Sequence, residues 1–132
     1  MIVVDTSAVI GALAGQPRDP RLVDRLIGDG DLHAPHLIDV EVQHALRRLV
    51  VSGTISDDRA ADASMDFESL TIVRYPHVSL AHRMWELRHS VTAYDAAFLA
   101  LAEALDVPLV TCDARLARAP GHAASVEVFL RE

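Results

Sequence analysis

Ile2-Val3-Val4-Asp5-Thr6-Ser7-Ala8-Val9-Ile10 is the stretch that decides the fold. Its first three residues are β-branched with no polar alternation, the composition of a strand buried on both faces in a parallel sheet. The run stops at an acid, and apolar residues then recur at helical spacing. Thr6 to Gly15 reads as a short helix with Val9, Ile10 and Leu13 on one face. A strand that ends on an acid and turns at once into a helix is the repeating unit of an α/β sheet. The same unit recurs near the other end of the chain. Pro108-Leu109-Val110-Thr111 is a buried strand, Asp113 follows it, and Ala114 to Ala119 reads as a short helix.

Between these two units the pattern keeps alternating. Pro17 and Pro20 mark a loop, and Leu22, Val23, Leu26 and Ile27 repeat with helical spacing before Gly28 and Gly30. Leu32 to Ala34 fits a short strand ended by Pro35. From Leu37 to Val51 the residues Ile38, Val42, Ala45, Leu46 and Leu49 recur at steps of three and four, an amphipathic helix stopped at Gly53. Asp57 to Leu70 is a more polar helix, and Thr71-Ile72-Val73 a strand closed by Pro76. Leu80 to Arg88 has helical spacing and carries the single tryptophan, Trp85. Asp95 to Leu105 is an alanine-rich helix, and Val126 to Leu130 is a closing strand. The expected fold is one α/β domain over residues 1–132, a mainly parallel central sheet with helices on both faces. This pattern does not specify strand order.

Composition narrows the chemistry. The 132 residues are 51% hydrophobic, enough for a packed core, and twelve basic residues face nineteen acids for a net charge of −7. Every basic residue is arginine; there is no lysine and no asparagine. Without lysine there is no Walker-type phosphate loop and no Schiff base. No apolar run approaches the roughly 20 residues that cross a bilayer, so no membrane association is expected. The N-terminal segment lacks the pattern of a secretory signal, and the lone Cys112 permits no intramolecular disulfide, which together point to a cytoplasmic protein.

Open parallel sheets build their ligand crevices at the carboxyl ends of strands, where strand passes into helix; three acids sit at such junctions, and a fourth lies inside a helix. Asp5 ends the first strand, and Asp113 follows Leu-Val-Thr-Cys. Asp95 opens the helix leading into that strand, and Glu41 lies one turn inside the best amphipathic helix, beside its apolar stripe. Each has a plain structural role available. Asp5 and Asp113 can cap the helices that follow them, and Thr92-Ala-Tyr-Asp95 fits a capping box. Converging carboxylates, however, raise one another's pKa unless a cation intervenes. With lysine absent, that cation is arginine or a metal ion. Carboxylate oxygens suit Mg2+ or Mn2+, and zinc is disfavoured because no His/Cys cluster has its spacing. The corresponding chemistry is metal-assisted phosphodiester hydrolysis, in which the ion activates a water and neutralises charge on the phosphoryl oxygens. Thr6, Ser7 and Thr111 stand beside the acids, where a hydroxyl can hold a water or make a local turn bond. His36 and His44 flank the Glu41 turn and read as surface or half-buried groups.

Val-Val-Asp-Thr-Ser-Ala-Val-Ile at the start, Glu41 in an early helix, Tyr-Asp-Ala-Ala-Phe-Leu-Ala-Leu-Ala around residue 95, and Leu-Val-Thr-Cys-Asp up to 113 resemble a PIN-domain ribonuclease. More narrowly they resemble the VapC-type toxins of bacterial toxin–antitoxin modules. The likeness covers nearly the whole chain in order and spacing. It implies a Mg2+-dependent endoribonuclease with Asp5, Glu41, Asp95 and Asp113 as its acidic quartet. Asp5 and Asp95 map to the most regular metal-binding positions, and Thr111 to the hydroxyl two residues before the last acid. It further implies a structured RNA substrate such as tRNA or ribosomal RNA, arrest of translation, a homodimer, and a VapB-type antitoxin that covers the groove.

A net charge of −7 has to be reconciled with an RNA substrate. Arg47, Arg48, Arg83, Arg88, Arg115 and Arg118 are candidates for a local positive rim, Arg47, Arg48, Arg115 and Arg118 foremost; each is equally readable as a scattered solvated charge. Two other readings compete. A phosphoryl-aspartate enzyme requires a lysine that this chain lacks, and the phosphatase form also requires a second aspartate where Ser7 stands. A PIN-like module that binds without cleaving is the non-enzymatic alternative.

Overall fold

The computed structural model describes residues 1–28 and 30–130. Five short strands form one sheet: β1 (Ile2–Val4), β2 (Leu32–Pro35), β3 (Ile72–Tyr75), β4 (Leu109–Thr111) and β5 (Val126–Val128). Their order is β3-β2-β1-β4-β5, and every neighbouring pair is parallel. The helices among the described residues are α1 (Thr6–Leu13), α2 (Pro20–Gly28), α3 (Leu37–Val51), α4 (Asp57–Ser69), α5 (Ala81–Glu86), α6 (Ala93–Leu105) and α7 (Ala114–Arg118). The α/β class and parallel sheet read from the strand pattern are those observed. Pairing through β1–β4 brings together the two strand-acid-helix units from opposite ends of the chain.

That order decides where a crevice forms. From β1 the chain steps outward through β2 to β3, then returns across the sheet to β4 and on to β5. Parallel crossovers are right-handed, so the outward and returning connections lie on opposite faces. Accordingly α1 packs on α2, α3 and α4, whereas α6 packs on α5 and against β1, β2 and β4. The switch falls between β1 and β4, whose following helices diverge and leave a gap at the carboxyl edge.

Boundaries shift for local reasons. Pro20, expected in a loop, is the first residue of α2, where its missing N–H costs nothing. Helix α6 begins at Ala93 because Thr92 Oγ1 accepts the Asp95 N–H at 3.2 Å. The expected Leu80–Arg88 helix divides into a 3-10 turn at Val78–Leu80 and the short α5. In α3 Ile38, Val42 and Leu46 are buried as the spacing requires, and Gly53, at φ +75°, takes the left-handed conformation that stops the helix.

Helix α6 is the internal strut. Ala96 through Ala102 are all buried, including Phe98 and Leu99, so this helix is enclosed nearly all round rather than on one stripe. Its alanines let neighbouring backbones approach closely, and Phe98 fills the remaining space; Phe98→Ala would cost about 3–5 kcal/mol. Because α6 leads into β4, its C-terminus lies at the amino edge of the sheet. Its first turn, with Asp95, therefore sits at the carboxyl edge.

Candidate active site

The site begins with Asp5, 7% exposed at the end of β1. Its Oδ1 accepts the Ala8 N–H at 3.0 Å and the Ser7 hydroxyl at 2.7 Å, and its Oδ2 accepts the Thr111 hydroxyl at 2.5 Å. Thr111 belongs to β4, so this last bond ties the two strands across the switch point. The network closes from the β4 side. Ser7 Oγ accepts the Cys112 N–H at 2.9 Å, Thr111 Oγ1 accepts the Asp113 N–H at 3.0 Å, and the two hydroxyls lie 3.2 Å apart. Asp5 is thus both the N-cap of α1 and the hub of a buried polar junction.

Glu41 enters from α3, half-buried, with Oε1 accepting the Thr6 hydroxyl at 2.7 Å. Thr6 is the first residue of α1, so the two helices are joined at the crevice. The α3 start is held in turn by His77, whose Nε2 accepts the Leu37 N–H at 3.0 Å, because His36 at the cap position offers no side-chain bond. Asp95 comes from the first turn of α6. Asp113 caps α7 by accepting the Arg115 N–H at 2.9 Å, and the Arg115 guanidinium clasps it through Nε at 3.0 Å and Nη2 at 2.6 Å.

Electrostatics link these groups. Burial pushes the Asp5 carboxyl up to about 6; bonds from Thr111, Ser7 and Ala8 oppose the rise, and the Asp95 charge adds to it. Glu41 is also raised, first by burial and further by Asp95, with the Thr6 bond and the His44 interaction opposing. Asp95 is raised by burial and then by the charge of Asp113, with Arg115 opposing. Only Asp113 is lowered, through its bonds with Arg115. At Asp5, Glu41 and Asp95, burial and mutual repulsion across the crevice outweigh the hydrogen bonds and the Arg115 and His44 interactions that oppose them.

The PIN domain family model matches residues 2–122. The chain belongs to the PIN-domain family. Ribonuclease VapC1 of Mycobacterium tuberculosis is 50% identical over 120 residues, 90% of each chain. Ribonuclease VapC12 of the same organism is 41% identical over 128 residues, 97% of this chain and 98% of the other. Among solved structures, the VapBC-5 toxin–antitoxin protein of M. tuberculosis matches with TM-score 0.58 and 27% identity over 98% of this chain and 97% of that one. PAE2754 of Pyrobaculum aerophilum matches with TM-score 0.69 and 23% identity over 95% of this chain and 81% of that one, which supports the fold.

In this PIN domain the hydroxyls are engaged in positioning. Ser7 and Thr111 donate to Asp5 and Thr6 donates to Glu41, so all three fix carboxylates; only the Ser7 bond is the local turn bond read from sequence, the other two joining residues 35 and 106 positions apart. The arginines separate into groups. Arg88, Arg115 and Arg118 line a cavity of about 590 Å3 together with Asp95. Arg83 is not part of it: its Nε and Nη2 reach Glu103 at 2.7 and 3.0 Å. Arg47 lies in a groove between α3 and α4 that contains none of the acids, and Arg48 is exposed on α3. The hold of Arg88 comes from Trp85, whose ring centroid its guanidinium overlies at 4.3 Å and whose carbonyl accepts from its Nη1 at 2.9 Å. Nothing in the spacing of residues 85–88 signalled this pairing.

Among the described residues, no group of three His, Cys, Asp or Glu side chains is arranged to hold a metal ion by itself. A closed cage of the zinc type is therefore absent from that part of the molecule. The donor set still fits a hydrated hard cation. Every candidate ligand is a carboxylate oxygen, and Mg2+ typically takes one or two carboxylates while keeping several waters. The raised carboxyls of Asp5, Glu41 and Asp95 are groups whose charge such an ion would stabilise.

Proposed function

We propose that this PIN domain is a VapC-type endoribonuclease that hydrolyses phosphodiester bonds at Asp5, Glu41, Asp95 and Asp113 with Mg2+, for which Mn2+ can substitute. The observation that carries the reading is the convergence of four acids on the β1–β4 switch point, three of them with carboxyls that burial and mutual repulsion raise. The kinship with VapC ribonucleases supports the reaction class. Asp5 and Asp95 would hold the ion, with Glu41 and Asp113 completing the site directly or through water. When bound, the ion supplies activation of a water and neutralisation of phosphoryl charge. The chain's own part is positioning: Thr111 and Ser7 aim Asp5, Thr6 aims Glu41, and the buried α6 presents Asp95. Arg115 holds Asp113 in its ionised form and lines the cavity in which a phosphate would lie.

The rival phosphoryl-aspartate reading lacks the lysine it requires, since every basic residue of the chain is arginine. The substrate class is structured RNA, tRNA or ribosomal RNA, and its cleavage would arrest translation in the cytoplasm. A VapB-type antitoxin is the inhibitor to expect, as the VapBC-5 neighbour is a toxin–antitoxin protein, and the toxin itself is expected as a homodimer. No helix among the described residues is long and apolar enough to cross a membrane. The test is cleavage of end-labelled tRNA and ribosomal RNA with and without Mg2+ by wild type, Asp5→Ala and Asp95→Ala. Metal-dependent cutting by wild type alone is expected. Equal cutting by all three proteins would remove the assignment from this site.

A further inference from the structure

The acid cluster divides two cavities of opposite character. On one side lies the space of about 590 Å3 lined by Arg88, Arg115, Arg118 and Asp95. On the other lies a cavity of about 480 Å3 lined by Leu37, Val40, His44 and Tyr94, with Thr6 and Glu41 forming its wall toward the acids. Asp95 belongs to the first cavity and Glu41 to the second, and the charge of Asp95 acts on Glu41. Tyr94 lines the second cavity and its chain neighbours Thr92 and Asp95 the first, so the two spaces flank the start of α6. Tyr94, one residue before Asp95, is 61% exposed, and Val40, which lines the same cavity, is 69% exposed. A large aromatic ring left open beside an acid cluster contributes little to the core. Its surroundings match a flat apolar ligand with polar edges.

We propose that Tyr94, with Leu37 and Val40, forms a base-holding subsite for one unpaired nucleotide of the RNA beside the scissile phosphate. This rests on the nuclease reading and deepens it by assigning the two halves of a nucleotide to the two cavities. The phosphate belongs on the arginine side, where three guanidinium groups line the wall and Trp85 already holds Arg88. The base belongs on the Tyr94 side, where the Glu41 carboxylate repels phosphate and an exposed ring offers a stacking face. A paired base is buried in its own stack and cannot reach the ring, so the subsite selects nucleotides that are unpaired or can be turned out. Tyr94 is thereby a specificity-determining residue, while the acids remain the reacting machinery.

The test uses the full chain and two readouts. The first is binding, in EDTA, of a short single-stranded RNA carrying 2-aminopurine, whose fluorescence falls on stacking, with the lone Trp85 reporting the arginine side. The second is cleavage of a mapped RNA substrate in Mg2+, with KM and kcat separated. Tyr94→Ala is expected to abolish the 2-aminopurine quench and to raise KM about tenfold or more, the scale of losing one stacking contact, with little change in kcat. Tyr94→Phe and Tyr94→Trp should keep both. Arg118→Ala should weaken binding and flatten its salt dependence while preserving the quench at saturation. Unchanged quench and KM in Tyr94→Ala overturn the subsite, and the apolar cavity then belongs to a protein partner. Absence of cleavage by wild type overturns the nuclease reading instead, and the binding assay still decides the subsite.

Discussion

Replacing Asp5 by asparagine should stabilise the metal-free protein at neutral pH while destroying the proposed activity. The magnitude follows from the carboxyl, which folding moves from the ordinary 3.8 to about 6. At about 1.4 kcal/mol per pH unit, ionised Asp5 costs the folded state about 3 kcal/mol at pH 7. Asparagine is an equally good helix cap, so the Ala8 bond survives. Its amide can donate to Thr111 Oγ1 if the Thr111 proton turns toward Ser7 Oγ, 3.2 Å away. Allowing about 1 kcal/mol for that rearrangement leaves a net gain of about 2 kcal/mol. For a chain of 132 residues this is a Tm rise of about 7 °C. Proton counting gives the sign and the window. Between pH 3.8 and about 6 the unfolded chain has released the Asp5 proton while the folded protein keeps it, so wild-type stability falls as pH rises through this range. The variant does not titrate at this position. It should therefore be about 1 kcal/mol less stable than wild type below pH 4, where only the rearrangement cost remains, and about 2 kcal/mol more stable by pH 7. Thermal melts in EDTA from pH 3.5 to 7.5 measure it. A variant no more stable than wild type at pH 7.5, or an equal gap at both ends, would refute the account of Asp5 as an uncompensated buried acid.

Three further outcomes are expected. Millimolar Mg2+ should raise the wild-type Tm above pH 7, by up to about 2.7 kcal/mol in stability at a hundredfold excess over its Kd, and the effect should vanish in Asp5→Asn; an identical rise in the variant would place the ion elsewhere. Thr111→Val removes the donor to Asp5 Oδ2 and should raise the Asp5 carboxyl further and lower stability by about 1–3 kcal/mol, with Thr111→Ser restoring most of it; carboxyl-carbon NMR titration reads the first effect and thermal melts the second. His77→Ala uncaps α3 and should cost about 1 kcal/mol, with faster hydrogen exchange confined to the first turn before Glu41; unchanged exchange at Leu37 would show that the bond contributes nothing.

Much of the site was legible because its residues announce themselves locally. Asp5 ends a β-branched run, Asp113 follows a buried strand and caps the next helix, and Thr92 caps the helix that bears Asp95. Glu41 was visible only as an acid at the border of an apolar stripe. Its role emerges from Thr6, thirty-five positions away in the chain. The hydroxyls show the limit of local reading more clearly. Thr6, Ser7 and Thr111 were equally readable as holders of water or of turns, and only the folded geometry directs their protons to carboxylates. Arginines are least legible of all, because a long flexible side chain takes its partner from the tertiary surroundings. Arg83 turns to Glu103, Arg115 to Asp113 and Arg88 to Trp85, although all three carry the same charge in the sequence.

Local sequence pattern is enough to set the alternation of strand and helix, the core faces, and the places of three acids near element ends and of Glu41 beside an apolar stripe. These follow from periodicity and capping, which act over a few neighbouring residues. Tertiary structure alone decided the strand order and so the β1–β4 switch point, since pairing between distant strands leaves no local signature. It also decided which carboxyls are raised. Burial and neighbouring charge set a pKa, and both exist only after residues 5, 41, 95 and 113 have been brought to one edge of the sheet.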